Sequence, residues 1–291
     1  MMLEIATILQ AVVFGLLNAG IYALAAAGLV LMFSMLNIIN FAHGDFLMLG
    51  MYVTYFLASS LTIGPITTAI FSIPLFFALG AAVYLGALHK IVRATPLSQL
   101  AVTVALLVLL RNFALSAWGG EPKALSFGVL QGLTTLGPVV LPLSRLVAAL
   151  ASIGALVALE VFLKKTHFGI SIRAAADDQE ATALMGVNTK MLFTVTVGIG
   201  MALTAFAASL IMTFQQVNPL SGLLYGLLTW VLIALAGTGR IKEVIVAAVI
   251  LAVAESLGMF FWDPRARNLV VYGIFVLVLM VKPTGLFGRK S

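Results

Sequence analysis

The residues of this chain best suited to chemistry sit in one short run, Asn40-Phe41-Ala42-His43-Gly44-Asp45-Phe46. Between Glu4 and Lys90 the only charged residue is Asp45. An ionisable side chain inside such an apolar stretch marks a pathway or a buried pairing. Two readings stand. In one, Asn40, His43, Gly44 and Asp45 form a helix break beside a transport path, because unwound backbone at membrane depth needs protein or water to meet its hydrogen bonds. In the other they form a turn at the membrane surface, with Asp45 capping the next helix. On either reading the Asp45 oxygens are expected to accept hydrogen bonds from backbone N–H groups freed at the break. His-x-Asp alone is not a metal site, since two ligands leave the shell incomplete.

A second polar interruption, Gln215-Gln216-Val217-Asn218-Pro219-Leu220-Ser221-Gly222, falls on the opposite side of the membrane by segment count. Asn218 and Ser221 are its candidates for a translocation path; a plain hairpin loop is the alternative. Asn18, Gly237 and Gly239 stand in further small-polar interruptions, suited either to substrate contact or to close helix packing. Arg111 and Glu160 lie near segment ends, where long side chains snorkel or pair. Glu255 lies deepest and suits a pathway or a buried ion pair. No catalytic residues emerge: there is no Gly-x-Ser-x-Gly elbow and no His-Glu-x-x-His pair. Cysteine is absent, which excludes disulfides, thiolate metal ligands and a cysteine nucleophile.

The elements that must position these residues follow from composition. Of 291 residues 62% are apolar and 9% charged, against roughly 45–50% and about 25% in soluble domains. Mean hydropathy is +1.16. This excludes a soluble enzyme, a disordered chain and a nucleic-acid-binding module, so the net charge of +6 belongs to a membrane rim. An outer-membrane barrel would alternate apolar and polar residues, whereas Leu97–Leu110 is apolar on every side. The fold class is therefore all-α: a polytopic helical membrane protein with about 8–10 spans. Nine apolar segments are expected: Ile5–Phe33, Phe46–Leu61, Pro65–Leu88, Leu97–Trp118, Leu146–Leu163, Met191–Phe214, Leu220–Thr238, Glu243–Phe261 and Asn268–Val281. The last is short for a span and would need local thinning or snorkelling by Arg265 and Arg267. Breaks near opposite faces in the two halves fit an inverted repeat. Gly119–Leu143 reads as an external loop with an interfacial helix. Residues 1–291 form one transmembrane domain; no basic region precedes the first apolar run, so no cleavable signal is expected.

Lys and Arg favour one set of loops: Lys90/Arg93, residues 164–190, Arg240/Lys242 and the tail. The positive-inside rule then places the C-terminus in the cytoplasm, in a bacterial inner membrane. The largest hydrophilic stretch, Lys164–Lys190, is too short to fold as an ATPase, and no P-loop occurs. Ser171–Met185 is built of helix formers and Gly186 suits a helix stop. That stretch reads either as a solvated connector or as one short helix able to dock in a partner's groove.

Four stretches together resemble the permease subunits of ABC importers for branched-chain amino acids, the LivH/LivM type. They are Asn40–Phe46 with Met48-Leu49-Gly50-Met51-Tyr52, the loop from Phe168-Gly169 to Val187-Asn188, the turn Gly237–Arg240, and the tail Val281–Gly288. Met51 stands where the family usually has Ala, and Gly237-Thr238-Gly239-Arg240 replaces a usual Gly-Gly-Leu-Gly-Ser. The resemblance implies a transport path, not a catalyst, and no cofactor in this chain: ATP and Mg would be held by cytoplasmic ATPase subunits. It implies a second permease subunit, identical or homologous, and a periplasmic or surface substrate-binding protein. It makes Arg173, Ala174, Asp178, Ala183, Gly186, Val187 and Asn188 the coupling surface toward the ATPase. The substrate would be a branched-chain or related aliphatic amino acid; urea, short amides and other small polar compounds are alternatives within the same importer class. A stand-alone secondary transporter or channel, with His43, Asp45 and Glu255 as ion-coupling groups, and a structural membrane protein are the readings from other classes.

Overall fold

In hydrocarbon a backbone N–H has no water to turn to, so an apolar run of twenty residues closes its hydrogen bonds within itself as a helix. The computed structural model describes residues 2–92, 94–126, 132–237, 240–263 and 267–288. Each of the nine expected segments is helical there: α1 (Met2–Leu36), α2 (His43–Leu61), α3 (Ala69–Val83, continued by a π turn and by α4, His89–Ile91), α5 (Pro96–Trp118), α6 (Leu143–Lys165), α9 (Thr189–Ile211), α10 (Ser221–Ala236), α11 (Ile241–Phe261) and α12 (Arg267–Val281). Two short helices, α7 (His167–Asp177) and α8 (Gln179–Leu184), join α6 to α9. Among the described residues, six helices are long and apolar enough to cross a membrane; α10 and α12 are apolar but shorter. The chain is a multi-pass helical membrane protein.

Helix starts are set by polar caps. The Thr95 hydroxyl accepts from the Ser98 N–H with Pro96 at the first helical position of α5, and Asn188 Oδ1 accepts from the Met191 N–H at the start of α9. The central post is α1, whose residues from Ala19 to Met35 are almost all buried and which packs against α6, α9, α10 and α11. Both its ends are tied. At one, the Gln10 amide exchanges two hydrogen bonds with the Val140 backbone. At the other, Gln179 Nε2 donates to the Met35 carbonyl at 2.6 Å. The tail lies at this second end too, where the Leu286 N–H donates to Leu235 O. The N-terminal stretch and the tail thus lie at opposite ends of the bundle.

Two expectations are corrected. The 119–143 loop carries no interfacial helix among its described residues; its second half is a hairpin, β1 (Leu133–Leu136) paired antiparallel with β2 (Val139–Pro142). β-branched Thr134, Thr135, Val139 and Val140 flanking a Gly137-Pro138 turn favour that outcome. The Ser171–Met185 helix is two helices. Asp178 turns extended (φ −152°) and its carboxylate accepts from the Ala181 N–H at 2.9 Å, so a side-chain cap displaces helix continuation and starts α8. Gly186 does follow α8 with φ +83°, the left-handed conformation a helix stop requires.

Candidate functional site

The Asn40–Asp45 run is a break inside the bundle. His43 Nε2 bonds the Ala25 carbonyl at 3.0 Å, and Ala25 lies eleven residues, about 16 Å, back along α1 from its end at Leu36. On the neighbouring α5 the Thr103 hydroxyl donates to Ile39 O, and eight residues later Arg111 meets Asp45, a climb of about 12 Å. Residues 37–42 therefore turn back into the protein, and α2 starts at depth. The freed Ala42 N–H is met by Asn40 Oδ1 at 3.1 Å.

The second break brings α10 to the same place. Asn218 Oδ1 accepts from the Leu220 N–H, and Ser221 Oγ accepts from the Asn218 N–H, closing the turn that starts the helix. From there α10 runs against α2. Gly44 faces Gly222 and Gly226 so closely that a Cβ on Gly44 would collide with the Gly222 carbonyl and the Gly226 backbone. The structure thus gathers Asn40, His43, Gly44 and Asp45 with Gly222 and, through the Asn218–Ser221 turn, with the second break. Two helix N-termini, each carrying a fractional positive charge, meet there.

Asp45 lies in the first turn of α2 and is 1% exposed. It does not cap freed backbone N–H groups: its two oxygens accept from Arg111 Nε at 3.2 Å and Nη2 at 3.3 Å. The physical reason is desolvation, since a buried carboxylate needs a full counter-charge more than a neutral donor. The small Gly222 leaves room for it.

The remaining candidates separate. Asn18 lies on α1 in another polar cluster, where its Oδ1 accepts from Arg145 at 3.1 Å. Gly237 sits at the tail end with φ +79°, pressed on Thr284 and Gly285; Gly239 lies outside the described residues. Arg267 does not snorkel: together with the Tyr22 hydroxyl it donates to Glu255 Oε1, while Arg267 Nη2 also donates to Tyr22. An arginine at the first turn of α12 reaches a counter-charge in α11 more cheaply than it reaches water. Arg265 lies outside the described residues. Tyr22 and Arg145 were invisible as site residues in the sequence, where Tyr22 is one aromatic in an apolar run and Arg145 a rim charge.

The coupling candidates surround α7 and α8. Ile172 and Ala175 bury one face of α7, while Arg173 and Ala174 are exposed. Arg173 lines a groove of about 420 Å³ with Asp177, Glu160 and the Arg240–Glu243 turn. Asp178 and Asn188 serve as caps, Ala183 and Gly186 are exposed and Val187 is half-buried. At the α8 tip, where the sequence sets Ala183 and Met185 on an apolar face and Ala183 and Gly186 on the coupling surface, Leu184 and Met185 are 88% and 84% exposed.

The fold and site define a multi-pass helical bundle in which two broken helices meet at a buried ion pair and a helical loop stands exposed at the end that holds the tail. The family model described as "Branched-chain amino acid transport system / permease component" matches residues 11–279, and the chain belongs to that family. It is 28% identical over 305 residues to the high-affinity branched-chain amino acid transport system permease protein BraD of Pseudomonas aeruginosa, covering 99% of this chain and 98% of the relative. It is 28% identical over 297 residues to the permease protein LivH of Salmonella typhimurium, covering 97% and 96%. A probable branched-chain amino acid transport permease protein LivH of Methanocaldococcus jannaschii is 25% identical over 292 residues, covering 94% and 90%. No solved structure matches the chain significantly.

Proposed function

We propose that this chain is the membrane-spanning permease subunit of an ABC importer for branched-chain or related aliphatic amino acids. A separate cytoplasmic ATPase binds ATP and Mg and supplies the energy, a second permease chain completes the membrane unit, and a substrate-binding protein delivers the cargo. The C-terminus and α7–α8 face the cytoplasm of a bacterial inner membrane. The observation that carries the reading is α8. Its tip offers Leu184 and Met185 to a partner while Gln179, at its start, is bonded to the end of α1, so a load on the tip reaches the post that lines the break. The aliphatic substrate is supported by the similarity to BraD and LivH, which are named as permease proteins of high-affinity branched-chain amino acid transport systems. It is also supported by a path that offers few charges but several helix ends and polar turns, which suit a zwitterion.

The test is ATP-dependent uptake of labelled leucine, isoleucine, valine and urea into vesicles holding the complete complex. Saturable uptake of the three amino acids is expected. Uptake of urea alone would overturn the substrate, and uptake without ATP would overturn the importer class.

A further inference from the structure

In hydrocarbon an uncovered apolar side chain needs no partner, whereas an uncovered amide has none to find. The outward faces of the spanning helices therefore tell lipid from protein by their polar residues. Along α6 the exposed residues from Leu150 to Val161 are Leu150, Ile153, Gly154, Val157, Ala158 and Val161, a face suited to lipid tails. The outward face of α5 is different. This helix is the least enclosed of the six that are long enough to cross the membrane, and it carries an exposed Asn112.

Asn112 points away from its own bundle. Thr103, whose hydroxyl meets Ile39 O, and Ala114 are fully buried and mark the side of α5 turned inward. Asn112 follows Thr103 by nine residues, which is two and a half turns, so it leaves the helix on the opposite side. It also lies deep. It stands about 24 Å along the axis from Pro96 and about 9 Å from Trp118, within a hydrocarbon layer about 30 Å thick. Its Nδ2 donates to the Val108 carbonyl of the same helix at 2.8 Å, and its Oδ1 has no partner among the described residues. Ala101, Ala105, Val108 and Ser116 share this face at helical spacing and are exposed. None is larger than valine, so another helix can approach the α5 backbone closely.

We propose that this face of α5 is the seam on which the second permease chain packs, with a spanning helix of that chain supplying an amide or hydroxyl partner to Asn112. This rests on the importer reading, which calls for a second permease chain and leaves its place open. Lipid tails cannot supply the partner, and the rest of this chain lies on the other side of α5. Arg111, the next residue, holds Asp45 on the flank turned to α2. The seam thus runs behind the helix that clamps the first break.

The experiment places p-benzoylphenylalanine at Val108 or Ser116 of α5 and, for comparison, at Ile153 or Val157 of α6, in the complete complex in its membrane, with Asn112 left intact. After irradiation, the α5 positions are expected to yield adducts with peptides of a permease chain, identical or homologous, at least tenfold above the α6 positions, which should yield lipid adducts. Adducts of α5 with lipid alone or with any other polypeptide, or equal permease adducts from both helices, overturn the seam. A second measurement follows the second permease chain retained by the tagged chain on dilution in detergent. Asn112→Leu should weaken that association about three- to tenfold, the worth of one interhelical hydrogen bond, and Asn112→Gln should restore most of it. Association unchanged or strengthened by Asn112→Leu, as removing an amide from a lipid-facing site would give, overturns the proposal, and this pair decides if the cross-linking variants fail to assemble. Leucine import by a complex whose α5 meets lipid overturns the seam alone, whereas a complex with no ATP-dependent leucine import overturns the importer reading and this inference with it.

Discussion

Asp45 and Glu255 are both about 1% exposed within the apolar bundle, and each is answered by an arginine that is partly exposed. The two pairs are built differently. Asp45 commits both oxygens to Arg111, in the first turn of a helix and against the start of another, so its charge is cancelled three ways. Glu255 commits one oxygen to Arg267 and Tyr22 and leaves the other buried without a hydrogen-bond partner among the described residues. A pair with both oxygens spent fastens its helices with its full capacity, whereas a pair with one oxygen unspent has already forgone part of it. Counting oxygens separates the two where burial does not.

The largest effect expected is from Asp45→Ala, which strands Arg111 and releases the α2–α10 junction. The loss is about 3–5 kcal/mol, the cost of breaking a buried pair from one side, read as a lower thermal midpoint of the detergent-solubilised protein. The double variant D45A/R111L should regain much of it; a double variant no better than D45A would show that Asp45 acts on something other than Arg111. Next comes Gly44→Ala, whose methyl must force α2 and α10 apart. A cost of about 1–3 kcal/mol is expected, with reduced leucine uptake per correctly inserted molecule; unchanged uptake would detach the junction from the path. Glu255→Gln should cost less than D45A, about 1–2 kcal/mol, because Tyr22 keeps a partner and one oxygen was already unused. If denaturation ranks E255Q above D45A, the contrast between the pairs is wrong. The smallest effect on the fold is expected from L184D/M185D, within about 0.5 kcal/mol of wild type as for exposed positions, while substrate-stimulated ATP hydrolysis by the complex falls at least tenfold. Normal coupling would remove α8 from the ATPase interface.

The helices were legible because hydrocarbon leaves an apolar run no other structure, and the breaks because polar residues there interrupt the pattern. That Asn40–Asp45 would meet Gly222 was not legible. Nothing in local sequence says that residues 37–42 turn back along α5 instead of emerging at a surface. The partners of Asp45 and Glu255 were hidden for the same reason: Arg111 and Arg267 stand 66 and 12 residues away, and Tyr22 is 233 from Glu255. The split at Asp178 was available in principle, since Asp followed by Gln-Glu is a helix-start pattern; the run of alanines before it masked the signal. An apolar face that includes Met185 was legible, but that it and Leu184 point outward was not, because an apolar side chain reads the same whether it meets the core or a partner and only the fold shows which.

One feature of α1 bears on how the subunit would move. The helix runs 35 residues, about 52 Å, without a proline, and is tied at both extremities, to the β1–β2 hairpin through Gln10 and to α8 through Gln179. Between those ties it touches His43 at Ala25 and the Glu255 cluster at Tyr22. Such a member behaves as a connecting rod and not as a chain of relays. That one unbroken helix gives α8, the break at His43, the Glu255 cluster and the far hairpin a member in common.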